Sequence, residues 1–159
     1  MTVPAIGFYG FSGSGKTTIL VSLIKLLRDR NINCAVIKKT NRSHPFESKE
    51  KDTAKFRDAG ALITVFHTPT ETSYSIRGDT KHGELIQNIN TMARVDCVFI
   101  EGANSPEIPK IRIGKKPIRE NTIADYNGNL DDLLKIVLII IDRGESNVES
   151  ANKGKRKRN

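Results

Sequence analysis

The chain has 159 residues, 37% of them hydrophobic and 28% charged, and this composition describes a soluble globular domain large enough to bury a core. Its longest apolar run, residues 136–141, falls far short of the about 18 residues that cross a bilayer, which excludes a membrane-spanning helix. The net charge is +8, but Lys153, Lys155, Arg156, Lys157 and Arg158 crowd five of those charges into the last seven residues, leaving +3 for the body. That residue of charge, with no recognition motif, argues against a nucleic-acid face.

The opening residues, MTVPAIGFYG, lack the basic start and long apolar stretch of a secretory leader. Cys34 and Cys97 are the only cysteines, each inside an apolar run, so buried free thiols in a reducing cytoplasm are expected rather than a disulfide framework.

In chain order, residues 3–9 read as a short buried strand and 16–30 as a helix. Ile19, Leu20, Leu23, Leu26 and Leu27 recur at spacings of three and four and give that helix one apolar face. Asn31 to Asn33 break it. Residues 35–37 form a second strand and 38–51 a polar loop. A short helix over 51–59 ends at Gly60, and 62–66 form a third strand. A turn at 68–72 leads to a brief β element near an edge, 73–77. Residues 83–93 read as a helix with Leu85, Ile86, Ile89 and Met92 as its stripe.

Residues 95–100 are a strongly apolar strand that ends at Glu101-Gly102. A proline-containing loop, 104–110, precedes two short strands at 111–113 and 122–124. Residues 131–141 read as the closing helix, capped by Asn129 or Leu130, although the β-branched half 136–141 suits a strand equally well. Residues 1–142 thus form the expected domain, and 143–159 a polar, basic tail expected to be disordered. Strands alternating with helices predict an α/β fold with a mainly parallel sheet, whose ligands bind at the carboxyl ends of the strands.

The decisive motif follows the first strand. Gly10-Phe11-Ser12-Gly13-Ser14-Gly15-Lys16-Thr17 matches G-x-x-x-x-G-K-[ST] between a buried strand and an amphipathic helix. Its glycines let several backbone N–H groups point into one concavity, and the helix aims its unpaired N–H groups at the same place. Lys16 adds a mobile charge for the β- and γ-phosphates. Thr17 offers Mg²⁺ a hard oxygen, and Thr18 sits beside it in the first turn. A nucleoside triphosphate with Mg²⁺ is the ligand this chemistry predicts.

Such a site needs a carboxylate near the metal. Glu101, ending the most apolar strand, is the first candidate, and Asp52, which could equally cap a helix, is the second. Asp125 suits a base contact or a plain turn, and nothing resembling N-K-x-D identifies the base. After the second strand, Lys38, Lys39 and Arg42 could hold a second anion or form a solvated loop. His44, His67 and His82 are scattered and make no metal cluster.

The chain resembles the family of molybdopterin-guanine dinucleotide biosynthesis adaptor protein B over about residues 3 to 141. Beyond the phosphate loop, the resemblance rests on V-I-K-K after the second strand, S-H-P-F-E, K-D-T-A-K-F-R-D-A-G-A from Lys51 to Ala61, V-F-I-E-G ending at Gly102, and P-K-I at Pro109 to Ile111. It implies a P-loop protein that binds GTP, hydrolyses it slowly, and often forms a homodimer. It further implies assistance to the guanylyltransferase that attaches GMP to the molybdenum-bearing pterin, with molybdopterin bound by this chain or only by that partner. By matching positions, Gly10 to Thr17 would hold phosphates and Mg²⁺, Asp52 and Glu101 would lie by the metal and the attacking water, and Arg57 would be a structural or phosphate-side residue. The chain departs from the family pattern at Lys39, Asn41 and Arg42, where histidines are usual, and at Ala103 to Pro109, where Phe-Lys commonly follows directly.

Two alternatives stand beside this. A small-molecule kinase would use Lys38, Lys39 and Arg42 to grip its acceptor and close arginines over the phosphates, with Arg112 and Arg119 in the plausible loop region. A binding module would use nucleotide only to switch its affinity for a partner.

Overall fold

The computed structural model describes residues 3–39, 55–56 and 58–156, with side chains included except at position 82 and beyond 144. The chain divides into two compact units, residues 1–40 with 82–159, and residues 41–81.

The first unit is the α/β body. It holds strands β1 (Ala5–Tyr9), β2 (Cys34–Lys38), β5 (Cys97–Glu101), β6 (Lys110–Arg112) and β7 (Thr122–Asp125) in the order β2-β5-β1-β6-β7, every neighbouring pair parallel. The helices are α1 (Lys16–Arg28), α2 (His82–Met92) and α3 (Leu130–Arg156).

Alternation along the strands sorts the core into two faces. Ile6, Phe8, Cys97, Phe99 and Ile111 point to the side of α1 and α3, where they meet Leu20, Leu23, Leu27, Leu133, Leu134, Val137 and Ile141. Val98 and Ile100 point to the opposite side, toward Ile86 and Ile89 of α2. Strands covered on both faces must be apolar throughout, which is why β5 reads as an unbroken hydrophobic run. Phe8 and Phe99 meet edge to face, 5.3 Å between ring centres.

Apart from the C-terminal end of α3, the predicted helices and strands of this unit appear within a few residues of their expected bounds. Helix α1 stops at Arg28, where Asn31 takes a positive φ of 59° and Ile32 N–H returns to Leu27 O. In α2, Ile86 and Ile89 face the core, but Met92 is 57% exposed and is not part of the buried stripe. The ambiguous stretch 136–141 is helical: Leu133, Val137 and Ile141 fall on one face at helical spacing. Asn129 caps α3, its Oδ1 accepting from the N–H groups of Asp131 and Asp132. The backbone of α3 continues to Arg156, past the fraying point expected at Asp142.

The intervening Ala103 to Pro109 is anchored in the core near both ends, with Asn104, Pro106 and Glu107 exposed between. Ala103 and Ile108 are buried in the α2-side core, and Pro109 O accepts from Gly7 N–H. Lys110 is fully buried, its ammonium donating to Ile108 O and Glu120 O at 2.8 Å each, which offsets the cost of burying a cation. Cys34 and Cys97 are free thiols on directly opposed residues of β2 and β5.

The second unit contains β3 (Ile63–His67) and β4 (Thr72–Ile76), paired antiparallel with Ile63 opposite Ile76 and Val65 opposite Tyr74. The strand expected at 62–66, the turn at 68–72 and the brief β element at 73–77 are the parts of this hairpin. The four residues between β3 and β4 allow only a hairpin, since a parallel return needs a long crossover. Residues 55, 56 and 58 are helical, with Gly60 beyond them at φ 109°, as the short-helix expectation has it for the described part.

Among the described residues, no helix is long and apolar enough to cross a membrane.

Candidate nucleotide-binding site

Strands β2, β5 and β1 are adjacent in the sheet, so their carboxyl ends deliver Lys38, Glu101 and the loop beginning at Gly10 side by side. The loop turns between β1 and α1 through Gly13 at φ 75° and Gly15 at φ 81°, conformations open mainly to glycine. Gly15 occupies the N-cap of α1 without a side-chain cap, and the first turn contains no acid. The first-turn N–H groups therefore meet no acid of their own turn, and the helix end offers the partial positive charge that favours an oxyanion.

The Lys16 ammonium folds back over this loop, donating to Phe11 O at 2.6 Å, Gly10 O at 3.3 Å and Ser14 Oγ at 3.4 Å. Ser12 and Thr18 are exposed on the loop and first turn. Gly10 has a separate reason to be glycine. A Cβ there would lie 2.3 Å from Ile113 O and 2.7 Å from Ser14 Oγ, so the loop packs directly on the chain after β6.

Thr17 and Glu101 meet across the edge. The threonine hydroxyl donates to both carboxylate oxygens at 3.2 Å. The Glu101 side chain is only 12% exposed, and Lys38 Nζ stands 3.7 Å from its Oε2. A hydroxyl and a carboxylate on one point are the hard oxygen donors that Mg²⁺ takes, so the residues present fit that ion. Asp52, Arg42, His44 and Arg57 lie outside the described residues. Among the described residues, no group of three or more His, Cys, Asp or Glu gathers as a metal cluster.

Asp125, weighed as a base contact, is committed elsewhere. Arg112 donates to its two carboxylate oxygens from Nε and Nη2, both at 2.6 Å, and to Lys116 O from Nη1 at 3.1 Å. This bidentate pair holds the Asp125 carboxyl below its ordinary range and raises the guanidinium. Arg119 is also engaged. Its guanidinium lies 4.8 Å from the Tyr9 ring centre and donates to Ala103 O, while its N–H donates to Tyr9 OH. Both arginines tie loops to the frame, which sequence missed because the pairing of β6 with β7, and of Tyr9 with Thr122, is a tertiary matter.

The family described as molybdopterin guanine dinucleotide synthesis protein B, MobB, matches residues 5–139. The chain belongs to the MobB family.

This MobB-family chain is 35% identical over 144 residues to a putative molybdopterin-guanine dinucleotide biosynthesis adapter protein of Methanocaldococcus jannaschii, a match covering 83% of the chain and 59% of that protein. It is 30% identical over 115 residues to the molybdopterin-guanine dinucleotide biosynthesis adapter protein of Escherichia coli, covering 69% of the chain and 64% of that protein. The chain thus spans less than two thirds of either relative. Its fold is similar to the crystal structure of Bacillus subtilis MobB, with a TM-score of 0.69 at 18% identity, covering 86% of this chain and 97% of the other. The parallel α/β architecture expected from the sequence is the MobB architecture.

Proposed function

We propose that this chain binds a purine nucleoside triphosphate, GTP, with Mg²⁺ and hydrolyses it slowly, in support of molybdopterin guanine dinucleotide biosynthesis. The observation that carries this is the Thr17 hydroxyl set against the Glu101 carboxylate at the mouth of a glycine loop with an uncapped helix behind it. In this reading the loop and first-turn amides, with Lys16, hold the β- and γ-phosphates. Thr17 and Glu101 hold the metal. When bound, Mg²⁺ neutralises charge on the phosphates. Turnover is slow in this reading because Arg112 and Arg119, the two arginines weighed as phosphate lids, are engaged with Asp125 and with Tyr9 and Ala103. Those same engagements weigh against the kinase alternative, which needs arginines to close over the phosphates.

Membership of a molybdopterin guanine dinucleotide synthesis family supports the pathway, and the reading extends to guanine as the base, a molybdopterin guanylyltransferase and molybdopterin-bearing proteins as partners, a homodimer as the assembly, and the cytoplasm as the compartment. Calorimetric titration of the full chain with GTP and ATP, each with and without Mg²⁺, together with a phosphate-release assay, tests the proposal. MgGTP bound about tenfold or more tighter than MgATP, with slow release of phosphate, is the expected result. Rapid transfer of phosphate from ATP to a small acceptor would overturn it.

A further inference from the structure

Lys38 closes β2 as Glu101 closes β5, and the two are register partners across the parallel pair. The strand ends are fixed to each other by Lys39 N–H donating to Glu101 O at 3.0 Å. The lysine head is not fixed in the same way. Its side chain is 65% exposed, and its recorded polar contact is the 3.7 Å approach to Glu101 Oε2, a carboxylate already sharing both oxygens with Thr17. At that separation, with the lysine head in solvent, the ion pair contributes little to stability. Its place at the mouth of the phosphate loop gives it another use.

We propose that Lys38 is a ligand for the terminal phosphate, through which the site distinguishes a nucleoside triphosphate from a diphosphate. This rests on the nucleotide reading above. A divalent cation on Thr17 and Glu101 would repel the ammonium from that carboxylate. Lysine is a point charge on a flexible stem, anchored here at a rigid strand end, so it can turn to the nearest unshared anion. With Thr17 and Glu101 holding the metal, the unshared anion within reach of this strand end would be the terminal phosphate of a nucleotide held by the loop. Lys16, bonded to the carbonyls of the loop itself, would grip the phosphates from the loop. Two lysines then flank the phosphate chain, one from the loop and one from β2, and only the second depends on the third phosphate being there.

Titration of the full chain with the Mg²⁺ complexes of GTP and GDP, for wild type, Lys38→Met and Lys38→Arg, tests this. Lys38→Met is expected to weaken GTP about tenfold or more and to leave GDP within about twofold, with Lys38→Arg keeping most of the preference. Retained GDP affinity also shows that the variant is folded. Equal loss for both nucleotides, or no loss for either, would overturn the assignment. If the wild type prefers adenine, the guanine part of the nucleotide reading fails, and ATP against ADP tests Lys38 in the same way. If it binds no purine triphosphate, the nucleotide reading itself fails and Lys38 has no phosphate to meet.

Discussion

The Thr17 hydroxyl lies 3.2 Å from both oxygens of Glu101, although 84 residues separate the two in the chain. The parallel pairing of β1 with β5 creates this contact, because Phe8 is the register partner of Glu101 and the phosphate loop starts just beyond. It joins a helix first turn to a strand end at the point where phosphate and metal chemistry would occur.

Glu101→Gln keeps a hydrogen-bond acceptor for Thr17 but removes the charge. Magnesium-dependent nucleotide affinity is expected to fall about 10- to 100-fold, while affinity measured in EDTA stays close to wild type. Titrations in the two buffers check this. An equal fall in both would mean that Glu101 shapes the loop and holds no metal.

Lys16→Ala removes donors to Phe11 O, Gly10 O and Ser14 Oγ and leaves the buried face of α1, Leu20, Leu23 and Leu27, intact. Loss of a charged hydrogen-bond donor to phosphate is expected to weaken nucleotide about 100-fold, with little change in the thermal midpoint. Calorimetry paired with a circular-dichroism melt reads both. Unchanged affinity would refute the site.

Gly10→Ala places a methyl 2.3 Å from Ile113 O, a backbone atom that cannot turn aside as a flexible side chain does. The loop or the chain after β6 must shift, at about 1–3 kcal/mol of stability. Urea unfolding is expected to show that loss together with weakened nucleotide binding. Wild-type stability would show that the loop is less tightly seated on residue 113.

Cys34 and Cys97 approach to 3.5 Å between sulfurs, with the buried Cys97 thiol donating to Cys34. That hydrogen bond lowers the Cys34 pKa below its ordinary 9.0, while the same bond and burial push Cys97 far up. Cys34 is half-buried at the edge strand, so it is expected to alkylate first, at a pH below the ordinary thiol range, with Cys97 protected in the folded chain. The stability that the Cys97 thiol contributes is complete below pH 9.0 and declines above it, where only the unfolded chain ionises readily. Mass spectrometry of iodoacetamide adducts across pH 6 to 10 checks the order. Equal labelling of both thiols in the folded protein would refute it.

Much of the body was legible because its signals are local. Strand β5 announced itself by apolar residues through Ile100, and α1 by leucines at helical spacing. The strands and turn of the hairpin β3–β4 were legible locally, but not their pairing with each other, because a five-residue strand does not say which neighbour it will take. The run 136–141 could not be decided locally, since β-branched residues suit either state until Leu133 and Val137 find a sheet to pack on.

By itself the sequence determined the phosphate loop, since glycine conformations, a lysine and a hydroxyl at fixed spacing are chemistry carried by adjacent residues. It also singled out Glu101 as the acid that ends a buried strand. Only the tertiary structure decided what meets Glu101 and what becomes of Arg112, Arg119 and Asp125. Those outcomes depend on strand order: β5 lies between β1 and β2, which brings Thr17 and Lys38 to one carboxylate, while β6 beside β7 binds Arg112 to Asp125. Strand order is set by how both faces of a sheet are covered at once, and no stretch of chain contains that information alone.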